Sequence, residues 1–220
     1  MIRMLCFGTL LALAVCGASA DQYWIAYEGN DFPENEGWRR ITRAGGANRF
    51  LERGHLVIDS LASTQIVDGY EMRRPGQFDP DPGELLVVEW RVQIDSVVGF
   101  TDIAIVVSSD DEWEVGFEMN MDTIRSVLEP GVVASFEPGV PHQFDFRSVD
   151  MRAYELRIDG SPTISGSFRP LFDSSRVVWG DGVQGSASLS RWDYFRFGVV
   201  PEPSSALLFS VGFMIRRDRT

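Results

Sequence analysis

Glu84-Leu85-Leu86-Val87-Val88-Glu89-Trp90-Arg91-Val92-Gln93-Ile94-Asp95 places Leu86, Val88, Trp90, Val92 and Ile94 on one side of an extended chain. Glu89, Arg91, Gln93 and Asp95 fall on the other. Successive side chains of a β-strand point to opposite faces, so this stretch reads as a strand with one face on a core and one in water. Coiled as a helix, the same residues would spread their apolar groups around the whole circumference. The two-residue period returns in Val115, Phe117 and Met119, in Phe144 and Phe146, and in Tyr154, Leu156 and Ile158. About a dozen such runs lie between residues 23 and 199, broken by turn-forming groups of Gly, Pro and Asp. The punctuation includes Arg73-Arg74-Pro75-Gly76, Pro80-Asp81-Pro82-Gly83, Glu129-Pro130-Gly131, Glu137-Pro138-Gly139 and Asp159-Gly160. Closely spaced strands without intervening helices imply an all-β antiparallel sandwich or barrel. No fixed internal period is present, which argues against propellers and solenoids.

The two ends differ from this middle. Residues 1–20 join Arg3, an apolar stretch and the small residues Ala18-Ser19-Ala20, the pattern of a signal peptide with an A-x-A cleavage site at Ala18 and Ala20. Both cysteines, Cys6 and Cys16, fall inside it, so the mature chain has no thiol for a disulfide or for catalysis. With two histidines left, His55 and His142, a zinc site of the usual Cys/His kind is not expected. The domain must therefore be held by burial, for which 44% apolar content over 220 residues is ample. Its net charge of −12 repels phosphate backbones, and nucleic acid is excluded as an expected partner.

At the other end, Pro201-Glu202-Pro203 is followed by an apolar run over residues 206–215 and by Arg216-Arg217. That order resembles the PEP-CTERM sorting tail of Gram-negative bacteria, with Pro201, Glu202, Pro203, Arg216 and Arg217 on the matching positions. The resemblance implies an exosortase-type processing enzyme as a partner, transient anchoring in the inner membrane, and delivery to the cell envelope or outside the cell. The basic cluster suits the cytoplasmic side of a membrane. The apolar segment is short, however: residues 204–215 would extend about 18 Å as a helix, where a full span needs ~20 residues. The expected organisation is a signal peptide at 1–20, one β domain at 21–199 and a short hydrophobic sorting tail at 200–220.

Three stretches of the middle segment resemble concanavalin A-like lectin and glucanase domains, the family that also holds laminin-G-like modules. They are Pro141-His142-Gln143-Phe144-Asp145-Phe146 with Tyr154-Glu155-Leu156-Arg157-Ile158-Asp159-Gly160, then Val177-Val178-Trp179-Gly180-Asp181-Gly182, then Ser190-Arg191-Trp192-Asp193-Tyr194-Phe195-Arg196-Phe197. The resemblance implies a two-sheet antiparallel jelly-roll sandwich in which His142 opens one strand and Asp159-Gly160 closes a hairpin. It does not choose among lectin, hydrolase and structural module.

These residues admit several kinds of chemistry, most of them with a plainer alternative. Glu112, Glu114 and Glu118 share a strand face with Gly116, as a glycosidase's carboxylate pair would. The middle acid of the glucanase pattern is missing, and a solvated strand face is the alternative. Asp79 and Asp81, with Asp110 and Asp111, supply loop oxygens of the kind calcium takes, or else rigid turns; no other cofactor is implied. Trp113, Trp179 and Trp192, with Asp181 and Asp193, could stack on and hydrogen-bond a sugar, as could Trp38; core packing is the alternative for all the rings. No G-x-S-x-G elbow and no phosphate-binding loop is present. The sequence thus leads to an exported, non-catalytic β-sandwich module that contacts polysaccharide or extracellular matrix. A glycoside hydrolase with an atypical carboxylate pair and a purely structural surface protein are the rivals.

Overall fold

The computed structural model describes residues 25–73, 79–101, 103–109, 113–170 and 175–202. The chain runs through β1 (Ile25–Tyr27), a 3-10 turn (Pro33–Glu36), β2 (Arg39–Arg43), β3 (Asn48–Glu52), β4 (His55–Asp59), β5 (Val67–Met72) and β6 (Glu84–Val98). It continues through β7 (Ile103–Ser108), β8 (Trp113–Met119), β9 (Thr123–Ser126), β10 (Val133–Ser135), β11 (His142–Ser148) and β12 (Ala153–Ile158). The last strands are β13 (Ser161–Ser167), β14 (Arg169–Pro170), β15 (Arg176–Asp181) and β16 (Ala187–Pro201). They form two eight-stranded sheets. The first has the order β13-β12-β11-β6-β16-β4-β3 with β1 added against β16, and the second β10-β9-β8-β7-β15-β5-β2 with β14 added against β8. Neighbours in both pair antiparallel.

β6 is long because fifteen residues pass without Gly or Pro; its inward side chains alternate from Val88 to Ile94, and Asp95 falls between the Ser190–Ile94 and Leu189–Ser96 pairs as an extra residue. The turn before it is closed by the Glu84 N–H on the Asp81 carbonyl at 2.9 Å, with Gly83 at φ +91°. It ends before Gly99, whose φ of +103° favours glycine and where a Cβ would stand 3.0 Å from the Ser186 Cα. Opposite it, β16 pairs Val199 with Leu86, Phe197 with Val88 and Phe195 with Trp90, so the inward faces of the two central strands of this sheet match. The register of β16 shifts twice, between Leu189 and Ser190 and between Trp192 and Tyr194. At the second shift Asp193 is the extra residue of a β-bulge.

The core between the sheets is aromatic. Trp179 of β15 reaches across to β16, 4.8 Å from the Trp192 ring and stacked on Phe195 at 5.2 Å. Tyr27, Tyr70 and Trp38 enclose it further. Trp90 extends this group, stacked on Phe195 at 6.1 Å and on Phe144 at 5.2 Å, and a second group joins Phe117, Phe146, Tyr154 and Phe168. Each such ring removes about 150–250 Å² from water, on the order of 5 kcal/mol at ~25 cal/mol per Å². With no disulfide in the described domain, this burial carries the fold.

The fold extends beyond the expected boundary at residue 199. β16 continues through Pro201, and the Glu202 N–H donates to the Gly83 carbonyl at 2.9 Å. The expected signal peptide, Ala18 and Ala20 included, and Pro203, Arg216 and Arg217 of the expected sorting tail lie outside the described residues.

Candidate functional site

The outward face of the second sheet is set by strand parity. With Val115, Phe117 and Met119 of β8 buried in the core, Glu114, Gly116 and Glu118 point away from it. Pairing carries this face across the sheet. Glu118 is opposite Ala104 on one side and Arg125 on the other. Ala104 is opposite Gly180, and Gly180 is opposite Gly69. A row three strands wide therefore presents no side chain beyond a methyl group. Glycine is required in it: a Cβ on Gly180 would lie 2.7 Å from the Gly69 Cα, and one on Gly69 2.9 Å from the Trp179 carbonyl oxygen. A glycine inside a strand marks such close approach; Gly69 and Gly180 are themselves buried, and Ala104 is half-buried.

One end of this bare row is walled by a polar cluster. Glu118 Oε2 accepts from Thr101 Oγ1 at 3.0 Å and from Arg125 Nε at 3.0 Å and Nη2 at 2.5 Å. The Arg125 guanidinium in turn lies 4.5 Å from the Phe100 ring centroid. Phe100 is 68% exposed, the most open of the large apolar side chains described. Its ring is thus braced on one side by a cation, which favours stacking, and remains open to solvent. An aromatic plate beside fixed donors and acceptors can take the C–H face of a sugar ring and its hydroxyls together.

Two rows along, Glu114 accepts from Ser108 Oγ at 2.9 Å, with Arg176 Nη2 at 3.8 Å. Glu114 and Glu118 are four residues apart on one strand, about 13 Å at ~3.3 Å per residue. Gly116 stands between them where the glucanase pattern has its middle acid, and each carboxylate has its own partners, Ser108 and Arg176 for Glu114, Thr101 and Arg125 for Glu118. Glu112, Asp110 and Asp111 lie outside the described residues.

The tryptophans expected at a ligand are elsewhere. Trp179 and Trp192 are fully enclosed between the sheets, and this corrects the reading of them as ligand-facing rings: the aromatic core is built on them. Asp181 is likewise buried, on the inward side of β15 opposite Asp68. Trp113 shares the parity of Val115 and so turns toward the core at the end of β8; it is half-buried there, with the Arg152 guanidinium 3.8 Å from its ring centroid. Asp193 alone of the expected ligand residues faces solvent, on the outer side of the first sheet, held by His55 and by Arg91 at 3.0 Å. Asp81 forms the turn before β6, its N–H donating to Glu84 Oε2 at 3.0 Å, and Asp79 is half-buried beside it. Among the described residues no three His, Cys, Asp or Glu side chains gather as a metal site.

His142 opens β11 and locks the hairpin. Its Nδ1 meets Asp159 Oδ2 at 2.6 Å and its Nε2 the Glu137 carbonyl at 2.7 Å, while Asp159 Oδ1 accepts the Gln143 N–H at 3.0 Å. Burial pushes the Asp159 carboxyl up, but the Gln143 N–H and the His142 ring outweigh it and hold the group below the ordinary carboxylate range. Phe100, Thr101 and Arg125 were missed by sequence reasoning. Phe100 and Thr101 follow Gly99 in what reads as a turn, and an exposed Gly-Phe at a strand end was the signal available.

A scan against protein-family models and a search of curated protein sequences find no match. Solved structures do match. The endo-β-1,3-glucanase of Pyrococcus furiosus superposes with a TM-score of 0.55 at 16% identity, over 80% of this chain and 94% of that one. Lectin I-B4 of Griffonia simplicifolia, in its metal-free form, gives 0.53 at 12% identity, over 80% and 99%. The chain is a jelly-roll β-sandwich. A Bacillus subtilis protein with a galectin-like fold agrees, with a TM-score of 0.54 at 10% identity over 80% of this chain and 96% of that one. At these identities the likeness is one of fold.

Proposed function

We propose that the protein binds polysaccharide, without cleaving it, along the outer face of the second sheet. One observation carries the reading: the row of Ala104, Gly180 and Gly69 ends at an exposed, cation-braced Phe100 beside the Glu118–Arg125–Thr101 cluster. A glycan chain laid across that row would meet no side chain larger than a methyl group along it, an aromatic plate at one end, and both donors and acceptors for its hydroxyls. Glucanases and a lectin among the structural neighbours support a glycan over other ligands of the fold. Gly116 in place of the middle acid of the glucanase pattern, and the hold of Arg125 on Glu118, favour binding over hydrolysis. The signal peptide and sorting tail expected from the sequence support a site of action in the cell envelope or outside the cell, reached through transient inner-membrane anchoring and an exosortase-type enzyme.

Titration of the protein against a panel of soluble β-1,3-, β-1,4- and α-glucans tests this. At least one should bind, with Phe100→Ala and Glu118→Gln each weakening it by about 1–2 kcal/mol, roughly 5–30-fold, and no reducing ends should appear. Release of reducing ends that Glu114→Gln abolishes would overturn the non-catalytic reading.

A further inference from the structure

The outer face of the first sheet carries a second feature, separate from the row just described. The bulge in β16 brings Asp193 to the outer face beside Arg191, and these two face Arg91 and Gln93 of β6. Together with His55 at the start of β4 and Pro141 just before β11, they line a cup of about 340 Å³. A β-bulge in a central strand re-aims one side chain at the cost of a ladder hydrogen bond, and bulges recur beside binding sites for that reason.

The chemistry of the cup is specific. Asp193 holds His55 Nδ1 on Oδ1 and Arg91 Nη1 on Oδ2, one partner for each oxygen. A carboxylate has about four acceptor positions, so it accepts further. Gln93 donates its amide to Asp95 Oδ1 at 2.6 Å, which directs its carbonyl oxygen elsewhere. Arg191 is held through Nε on Asp95 Oδ2 at 2.6 Å and through Nη1 on Glu52. The Arg91 side chain stays 44% exposed, with guanidinium N–H groups to donate. Donors and acceptors thus surround one space, Asp193, Arg91 and Arg191 braced by ion pairs and Gln93 by its hydrogen bond to Asp95, and the Pro141 ring adds an apolar wall. Two arginines against Asp193, Asp95 and Glu52 leave no net positive charge to draw an anion. A neutral ligand whose every polar group both donates and accepts fits this arrangement, and vicinal hydroxyls on a ring are that ligand.

We infer that the cup takes one neutral sugar residue. Its adjacent hydroxyls would bridge Asp193 and Arg91, and its C–H face would lie on Pro141. This is a monosaccharide-sized site on the opposite sheet from the proposed polysaccharide face, suited to a chain end or a side branch. The two stand or fall separately, because a chain-binding face and a cup for a single residue respond to different ligands.

The test is saturation-transfer NMR and calorimetry on the full chain with glucose, galactose, mannose, xylose, glucuronate and inorganic phosphate. One neutral sugar should saturate in the millimolar range. Asp193→Asn and Arg91→Gln should each weaken it by about tenfold or more, while Arg152→Gln at the far end of the sheet should keep it within about twofold. Both cup variants should melt near the parent temperature; because Arg91 is the more exposed, its variant keeps the test valid if Asp193→Asn fails to fold. The inference is overturned if no neutral sugar saturates, if only glucuronate or phosphate does, or if the cup variants bind as the parent does.

Discussion

Replacing Trp179 separates a core residue from a ligand contact. The side chain is wholly enclosed and joins the sheets through the Trp192 ring at 4.8 Å, Phe195 at 5.2 Å, Tyr27 at 5.3 Å, Tyr70 at 4.7 Å and Trp38 at 5.7 Å. Truncation to alanine removes the transfer energy of the indole and leaves a cavity, together about 3–5 kcal/mol; the lost ring pairs put Trp179→Ala at the upper end. At roughly 2–4 °C per kcal/mol for a domain of this size, about 5 kcal/mol lowers the melting temperature by ~10–20 °C. Trp179→Phe should be much milder, about 1–2 kcal/mol, because the indole N–H has no hydrogen-bond partner among the described residues, so removing it forfeits none of the bonds seen there. Thermal unfolding followed by near-ultraviolet circular dichroism, with binding measured on the folded fraction, reads both effects. A Trp179→Ala protein that melts within a few degrees of the parent yet loses glycan binding would refute the reasoning, because the ring would then be acting as a ligand contact.

Three further perturbations bear on the same account. Asp159 has a folded-state pKa below its unfolded value, ~3.9, so its contribution is complete well above that value and is lost as pH falls through the lower one; stability curves of the parent and Asp159→Asn should stay apart near neutral pH and converge as pH falls below ~3.9, and parallel curves would count against the clamp. Asp68 is fully buried and receives Arg40 Nε at 2.8 Å and the Ala47 N–H at 2.7 Å, with Arg49 Nε at 4.0 Å, so Arg40→Met should cost about 3 kcal/mol in urea unfolding by removing the main cation on that buried carboxylate, with Asp68→Asn added to it recovering part of the loss. Gly180→Ala meets both a φ of +124° and a backbone atom 2.7 Å away and should cost about 2–4 kcal/mol, whereas Gly45→Ala, at φ +91° with nothing within 4 Å, should cost about 1; equal melting temperatures would deny the close approach under the bare row.

The architecture was legible where alternation ran uninterrupted. Leu86 to Ile94 gave β6 its inward face, and Asp159-Gly160 gave the turn between β12 and β13, both residues taking positive φ. The candidate site was less so, for identifiable reasons. In Val177-Val178-Trp179 apolar residues occupy both parities, so the period could not say which side Trp179 takes. Trp113 has the parity of Val115, which pointed to the core, but its acidic neighbours suggested exposure. The Asp193 bulge depends on how β16 registers against β6, a long-range match that no local pattern encodes. The bare row is invisible for the same reason: Gly69, Ala104 and Gly180 are far apart in sequence and meet only through pairing.

The central claim is that the outer face of the second sheet receives a glycan chain. Hydrogen–deuterium exchange of the protein with and without a soluble β-1,3-glucan tests it most directly. Slowed exchange should gather in β7, β8, β9 and β15, around Ala104, Glu118, Arg125 and Gly180, with β3 and β12 unchanged. Protection confined to the first sheet, or none at saturating glucan with every other glucan of the panel equally silent, would contradict it.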